Sequence, residues 1–129
     1  MIALLLDEDA DLLDAIAELL EISNCRCVLV QSVDELKALG ARALDADVAL
    51  LDINLGPGQP SGIEAYDWLV GQGFAGRLLF FTGHAPGDPM VARATRRKRA
   101  TLLVKPLDAG TLLDRILGVT GTTGRAEGP

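Results

Sequence analysis

Aromatic residues, basic charge and long hydrophobic runs are all scarce in this chain of 129 residues. Aromatics make up only 4% of the residues, so aliphatic side chains must build any core. The net charge of −6 argues against direct binding of nucleic acid, which depends on neutralising phosphates. No apolar run approaches the ~20 residues needed to cross a membrane, and the first one, Ile2–Leu6, lacks the basic flank of an export signal.

Cysteine is also rare, with Cys25 and Cys27 as its two examples. On a strand, their spacing puts both side chains on one face, where an extended backbone keeps them from bridging. No nearby histidine completes a metal set. We interpret them as small packing residues of a reduced, cytoplasmic protein.

Short apolar segments alternate with segments of helical periodicity along the whole chain. The apolar segments are typical of parallel strands covered on both faces. They are Ile2–Leu6, Arg26–Val30, Val48–Asp52, Arg77–Phe81 and Thr101–Val104. The helical segments are about Asp9–Ile22, a second one from the capping residue Ser32 to Gly40, a third after Ser61-Gly62, then about Asp88–Arg97 and Asp108–Leu117. Five such units predict one α/β domain over residues 1–118, a doubly wound parallel sheet with helices on both faces. We expect residues 119–129 to form a flexible tail or linker stub.

Polar side chains stand directly after four of the predicted strands. In a sheet of this kind, ligands bind at the carboxyl ends of the strands. The residues found there are Asp7, Glu8, Asp9, Asp52, Thr82 and Lys105. Crowded carboxylates repel one another unless a cation joins them, and oxygen ligands select Mg²⁺ or Mn²⁺. Asp52 can then act as a nucleophile on phosphorus, with Lys105 and Thr82 stabilising the transferred group.

Each of these residues also has an ordinary structural interpretation. Acids that follow a strand often cap the next helix, and Thr82 can end a strand or form a local turn. The Lys105-Pro106 pair can simply precede a helix that starts at proline. All four features in this order at the predicted strand ends favour a shared site over four separate coincidences.

At these residues the sequence resembles the response-regulator receiver family, over about Ile2 to Leu117. The matching stretches are LLLDEDADLL, VALLDINL, FFTG and VKPL. The resemblance implies a flavodoxin-like sheet with strand order 2-1-3-4-5 and phosphorylation of Asp52. It also implies a Mg²⁺ cofactor held by Asp7, Glu8, Asp52 and the backbone carbonyl of Asn54, with Thr82 and Lys105 assisting the transfer. A cis peptide before Pro106 is common in the family.

The family's function implies that the chain is no enzyme beyond phosphoryl uptake and loss at Asp52. The expected partners are a histidine kinase or a histidine phosphotransfer protein, and a downstream protein. A receiver-like interaction module that is never phosphorylated is the alternative. An aspartate-nucleophile phosphatase is disfavoured because Asn54 stands where that class needs a second aspartate.

Four departures from the family pattern bear on signalling. The acidic pair is Asp7-Glu8 rather than two aspartates, and the loop after Asp52 is two residues longer, with Gly56 where proline is frequent. Leu102 replaces an aromatic residue whose swing normally accompanies the movement of the Thr hydroxyl. The basic stretch RATRRKRA, from Arg93 to Ala100, is either a solvated helix face or a docking patch. His84 is interpreted as a loop residue, or as one that borders the phosphoryl pocket.

Overall fold

The computed structural model describes residues 1–83 and 87–118. Its strands are β1 (Ile2–Leu6), β2 (Arg26–Val30), β3 (Val48–Asp52), β4 (Arg77–Thr82) and β5 (Ala100–Val104). Its α-helices are α1 (Ala10–Ile22), α2 (Val33–Ala38), α3 (Gly62–Gly71), α4 (Pro89–Thr95) and α5 (Ala109–Leu117). His84 and the expected tail at 119–129 lie outside the described residues.

The strands form one parallel sheet in the order β2-β1-β3-β4-β5, so the predicted fold class and strand order are confirmed. The central strand β3 is buried along its whole length, as its run of aliphatic residues predicts. Because all five strands are parallel, their carboxyl ends lie at the same edge of the sheet.

The core has two layers because alternate residues of each strand face opposite sides of the sheet. On one side, Leu4 and Leu6 of β1 pack in a cluster that includes residues of α2, α3 and α4. On the other, Ala3 and Leu5 pack in a cluster with residues of α1 and α5. Helices therefore cover both faces, as predicted.

Several helix ends differ slightly from the sequence-based boundaries. Asp9, Ser32, Ser61, Asp88 and Asp108 are N-caps, and each side chain accepts a hydrogen bond from a backbone N–H of the first turn. The cap positions explain why α1, α4 and α5 begin one residue after the predicted Asp9, Asp88 and Asp108. Helix α4 ends two residues before the predicted Arg97, and the chain continues after α2 as an unpredicted 3-10 helix, Gly40–Asp45.

Both cysteines are free, as expected, and both pack in the cluster under α1. Burial raises the pKa of each thiol, that of Cys27 to about 12, so neither is activated as a thiolate. In the described part of the chain, no helix is both long and apolar enough to span a membrane.

Candidate functional site

The ends of four strands deliver polar side chains to one edge of the sheet. Asp52 is the last residue of β3 and Thr82 the last of β4, while Asp7 and Lys105 directly follow β1 and β5. The acids are almost fully buried, at 5% exposure for Asp7 and 7% for Asp52, and Thr82 is completely buried. Polar groups buried to this degree need hydrogen-bond or charged partners, so the residues around them determine the chemistry of this edge of the sheet.

The Lys105 ammonium group lies between the two buried carboxylates. Its Nζ donates a hydrogen bond to Asp7 Oδ2 over 3.1 Å and lies 3.7 Å from Asp52 Oδ2. The same nitrogen lies 5.0 Å from the centre of the Phe81 ring. The backbone N–H of Lys105 donates to the Thr82 carbonyl over 2.7 Å, and the Lys105–Pro106 peptide is cis. The lysine is therefore fixed at its backbone and directed at both acids.

The surroundings of Asp52 disfavour its ionised form. Its burial and the neighbouring Asp7 carboxylate raise its pKa to about 7, although Lys105 and the backbone N–H of Asn54 oppose the rise. Two carboxylates that share one ammonium group carry one negative charge too many. A further cation at this edge would favour the ionised form of Asp52.

The three acids that follow β1 separate into different roles. The Asp9 side chain caps α1 by accepting hydrogen bonds from the N–H groups of Asp11 and Leu12. Asp7 turns inward to Lys105, and its other oxygen accepts from the Asp9 N–H over 2.9 Å. Glu8 is exposed, and its carboxylate reaches across to Gly56 in the loop after β3. The capping interpretation thus holds for Asp9, while Asp7 lies in the polar cluster.

The loop after β3 has its own internal hydrogen bonds. The Asn54 side chain accepts from the Gly56 N–H over 3.0 Å, and the Gly56 carbonyl accepts from the Gln59 N–H over 3.2 Å. This short-range bonding is typical of an asparagine turn. The first of these bonds engages the side chain of Asn54, and neither involves its backbone carbonyl, the atom predicted to bind Mg²⁺.

Gly62 is a packing residue of the site that the sequence interpretation treated only as a helix start. A Cβ at this position would lie 2.0 Å from the carbonyl oxygen of Asp52, far inside contact distance. The Gly62 N–H also donates to the Ile53 carbonyl over 2.9 Å. Glycine therefore lets α3 lie directly against the end of β3. The glycine after the capping residue Ser61 was the available signal, but its contact depends on the path of the loop.

An open cavity of about 280 Å³ lies in front of the acids, lined by Glu8, Asp52, Asn54, Gly83 and Lys105. Within residues 1–83 and 87–118, no three acidic, histidine or cysteine side chains are grouped so as to enclose a metal ion by themselves. The donors nevertheless suit Mg²⁺, a hard cation that prefers oxygen ligands and usually keeps several waters. The cavity has room for such waters and for a phosphoryl group.

Leu102 lies on β5, three residues before Lys105, is paired with Phe80 of β4, and is partly buried against the core. Thr82 is paired with Val104, two residues further along β5. The position where the family commonly has a swinging aromatic thus holds an aliphatic side chain in the packed layer.

Two arginines of the basic stretch bond to other segments at the surface of the fold. The Arg97 guanidinium binds both oxygens of Asp67 on α3, at 3.2 and 2.7 Å. Arg99 donates to the carbonyls of Phe74 and Gly76, at 2.9 and 3.1 Å. These contacts join the connection between α4 and β5 to α3 and to the segment before β4, while Arg93, Arg96 and Lys98 are exposed.

Residues 3–117 match the response regulator receiver domain family. No curated protein matches the chain in sequence. The chain is similar to a solved CheY-like receiver domain protein from Methanospirillum hungatei, with 21% identity, 91% of this chain and 90% of that one covered, and a TM-score of 0.76.

Two further solved structures are similar in fold. One is a Burkholderia pseudomallei response regulator with a phosphorylated aspartic acid, a calcium ion and citrate. It shares 23% identity over 89% of this chain and 65% of that one, with a TM-score of 0.75. The other is the BeF3-activated N-terminal receiver domain of RstA from Klebsiella pneumoniae, at 20% identity, 91% and 96% coverage, and a TM-score of 0.72.

Proposed function

Because this chain belongs to the response regulator receiver domain family, we propose that it accepts a phosphoryl group on Asp52 and signals through the resulting conformational change. The observation that carries the proposal is the Lys105 ammonium group, which lies 3.1 Å from Asp7 and 3.7 Å from Asp52 beside an open cavity. The proposal treats residues 1–118 as the receiver domain.

Asp52 acts as the nucleophile. One of its carboxylate oxygens forms a bond to phosphorus while the bond from phosphorus to a histidine nitrogen of the donor protein breaks, and that nitrogen keeps the electron pair. Lys105 offsets charge on the transferred group, and the Thr82 hydroxyl donates a hydrogen bond to it. Burial keeps these groups preorganised, since little solvent has to be displaced around Asp7, Asp52 and Thr82.

Asp7, Glu8, Asp52 and the backbone carbonyl of Asn54 are the groups that would hold Mg²⁺ here. The ion supplies positive charge that keeps Asp52 ionised and neutralises the phosphoryl oxygens. Asp7 would keep Lys105 oriented through its 3.1 Å bond, while Glu8 contributes from the exposed side of the cavity.

The proposed partners follow from this chemistry. A histidine kinase or a histidine phosphotransfer protein donates the phosphoryl group in the cytoplasm, and a downstream protein reads the changed surface. Phosphorylation adds roughly −1.5 to −2 charge and three strong acceptors next to Lys105 and Thr82. With Leu102 in place of an aromatic residue, the change reaches α4 by a modified route.

Acetyl phosphate with Mg²⁺ tests the proposal. We expect the mass of the intact wild-type chain to increase by one phosphoryl group, and the Asp52→Asn variant to keep its fold without gaining this mass. Asp45→Asn, at an exposed acid in the 3-10 helix, is the matched control and should be labelled like the wild type. Wild-type protein that neither gains the mass nor binds beryllofluoride would refute the proposal.

Leu102 favours one alternative function, a receiver-like module that binds its partner without phosphorylation. Its aliphatic side chain packs against the core and cannot reproduce the swing of an aromatic ring. The same experiment separates the two functions, because the module would be unlabelled and its partner binding would survive Asp52→Asn.

A further inference from the structure

The Glu8 carboxylate lies in the space that a side chain at position 56 would occupy. A Cβ built on Gly56 would be 2.8 Å from Glu8 Oε2 and 3.9 Å from Glu8 Cδ. The first distance is shorter than real Cβ atoms tolerate, so glycine at 56 and the present place of the Glu8 carboxylate depend on each other. Glu8 lines the same cavity as Asp52, at the edge of the sheet where the strands end.

The backbone at Gly56 is held in place. It has a φ of +109°, a conformation that strongly favours glycine. Its N–H donates to the Asn54 side chain and its carbonyl accepts from Gln59, so bonds on both sides resist a shift of the loop. If a side chain were added at 56, the end of the Glu8 side chain would be the group that moves.

We propose that Gly56 is a positioning residue for Glu8, an inference that rests on the proposed phosphoacceptor function. Glutamate is one methylene longer than aspartate, and the missing side chain at 56 gives its carboxylate a place beside the cavity that Asp52 lines. An aspartate at position 8 would keep its carboxylate closer to its own backbone and would not need this space. The length of the acid and the glycine in the loop therefore form a matched pair.

Loss of the match between Gly56 and Glu8 should lower Mg²⁺ affinity and should have little effect on packing. Glu8 is exposed, so its flexible side chain can swing away from an added methyl group with little effect on packing. A ligand swung away from the cavity binds the ion less well. Mispositioned ligands and their supporting groups typically cost 10–100-fold in metal affinity.

A double-mutant cycle tests the pair, with Mg²⁺ affinity measured calorimetrically on unphosphorylated protein. Gly56→Ala alone should weaken Mg²⁺ binding by about 10-fold. In the Glu8→Asp background, the same change should alter the affinity by less than about 2-fold, as expected for sites that do not interact. Backbone strain from alanine at a positive φ is common to both arms and cancels in the comparison.

Gly58→Ala is the matched control in the same loop. Gly58 also has a positive φ, +73°, but nothing lies within 4 Å of a Cβ built on it. The Gly58→Ala variant should lower the free energy of unfolding about as much as Gly56→Ala does. Its Mg²⁺ affinity should stay within about 2-fold of wild type.

The possible failures are distinct. Wild-type protein that binds no Mg²⁺ would overturn the proposed metal site and this inference with it. An equal loss of affinity from Gly56→Ala in the Glu8 and Glu8→Asp backgrounds, or an equal loss from Gly58→Ala, would overturn this inference alone.

Discussion

At the scale of single residues, Asp52 is subject to two opposing requirements. The proposed phosphoryl transfer needs its carboxylate ionised, whereas its burial and the nearby Asp7 favour the protonated form and raise its pKa to about 7. Lys105 reduces the conflict without removing it, because one ammonium group serves two acids. An ionised carboxyl group at position 52 therefore lowers the free energy of unfolding.

Without divalent ions, Asp52→Asn should therefore stabilise the protein. The folded pKa of about 7 exceeds the ordinary value of 3.8, so the folded state retains a proton that the unfolded state loses between those two values. Wild-type stability thus falls as the pH rises through this window, and the variant is spared that loss. At pH 8 with a chelator, urea unfolding should give the variant an advantage of about 1 to 3 kcal/mol, which shrinks towards pH 4.

Asp45→Asn provides the comparison, because this exposed acid lies in the 3-10 helix, away from the strand ends that bear Asp7 and Asp52. Its effect on the free energy of unfolding should be small and should not grow between pH 4 and pH 8. An Asp52→Asn variant no more stable than wild type at pH 8 would contradict the electrostatic argument.

Residue identity and strand order were enough to predict which side chains lie together at the carboxyl ends of the strands. Buried aliphatic runs locate the strands, and parallel pairing then brings Asp7, Asp52, Thr82 and Lys105 to one edge. The contact of Gly62 with Asp52 and that of Gly56 with Glu8 could not be predicted this way. Both depend on the path of a lengthened loop, which no hydrophobic pattern encodes.

At the scale of whole elements, Arg77 joins the start of β4 to the end of α5. Its guanidinium donates to the Arg115 carbonyl over 3.0 Å and also to the Ile116 carbonyl. The last carbonyls of a helix have no partners within the helix, and a positive charge beside them also opposes the helix dipole. Arg77 therefore caps α5 from a different element.

Arg77→Met should loosen the last turn of α5 while keeping the apolar part of the side chain. We expect a loss of about 1 to 2 kcal/mol in the free energy of unfolding, at the low end for hydrogen bonds from a charged donor because the contact is partly exposed. Hydrogen exchange should accelerate at the amides of the final turn and hardly change in α1. Arg96→Met, at an exposed arginine that follows α4, is the control and should have little effect on either measurement.

The helices and strands and their order were predicted from the sequence more accurately than the residues at which each helix begins and ends. Caps such as Asp108 set the first residue of a helix, so α5 begins at Ala109, one residue after the predicted Asp108, and the alternative in which a helix starts at Pro106 is excluded. The 3-10 helix after α2 was missed because the stop signal at Gly40 was taken as the end of helical structure. Arg97, just beyond the end of α4, binds Asp67 on α3, a contact between distant parts of the chain that a local pattern cannot show.

At the scale of the whole molecule, the net charge of −6 complicates any test of metal binding. An acidic surface attracts divalent ions loosely wherever carboxylates are exposed, and salt screens that attraction. A specific site differs because it binds the folded state at defined residues. Its stabilisation follows mass action and disappears when one of its ligands is removed.

Mg²⁺ should therefore raise the melting temperature of the wild-type chain in 0.15 M salt. At ten times its dissociation constant, the ion would stabilise the folded state by about 1.4 kcal/mol, which corresponds to roughly 3 to 6 °C for a domain of this size. Asp7→Asn should abolish most of this increase, because Asp7 is one of the two buried carboxylates beside Lys105. Asp45→Asn changes the net charge by the same amount and should keep the increase. Equal increases in both variants would mean that the acidic surface, and not the strand-end site, binds the ion.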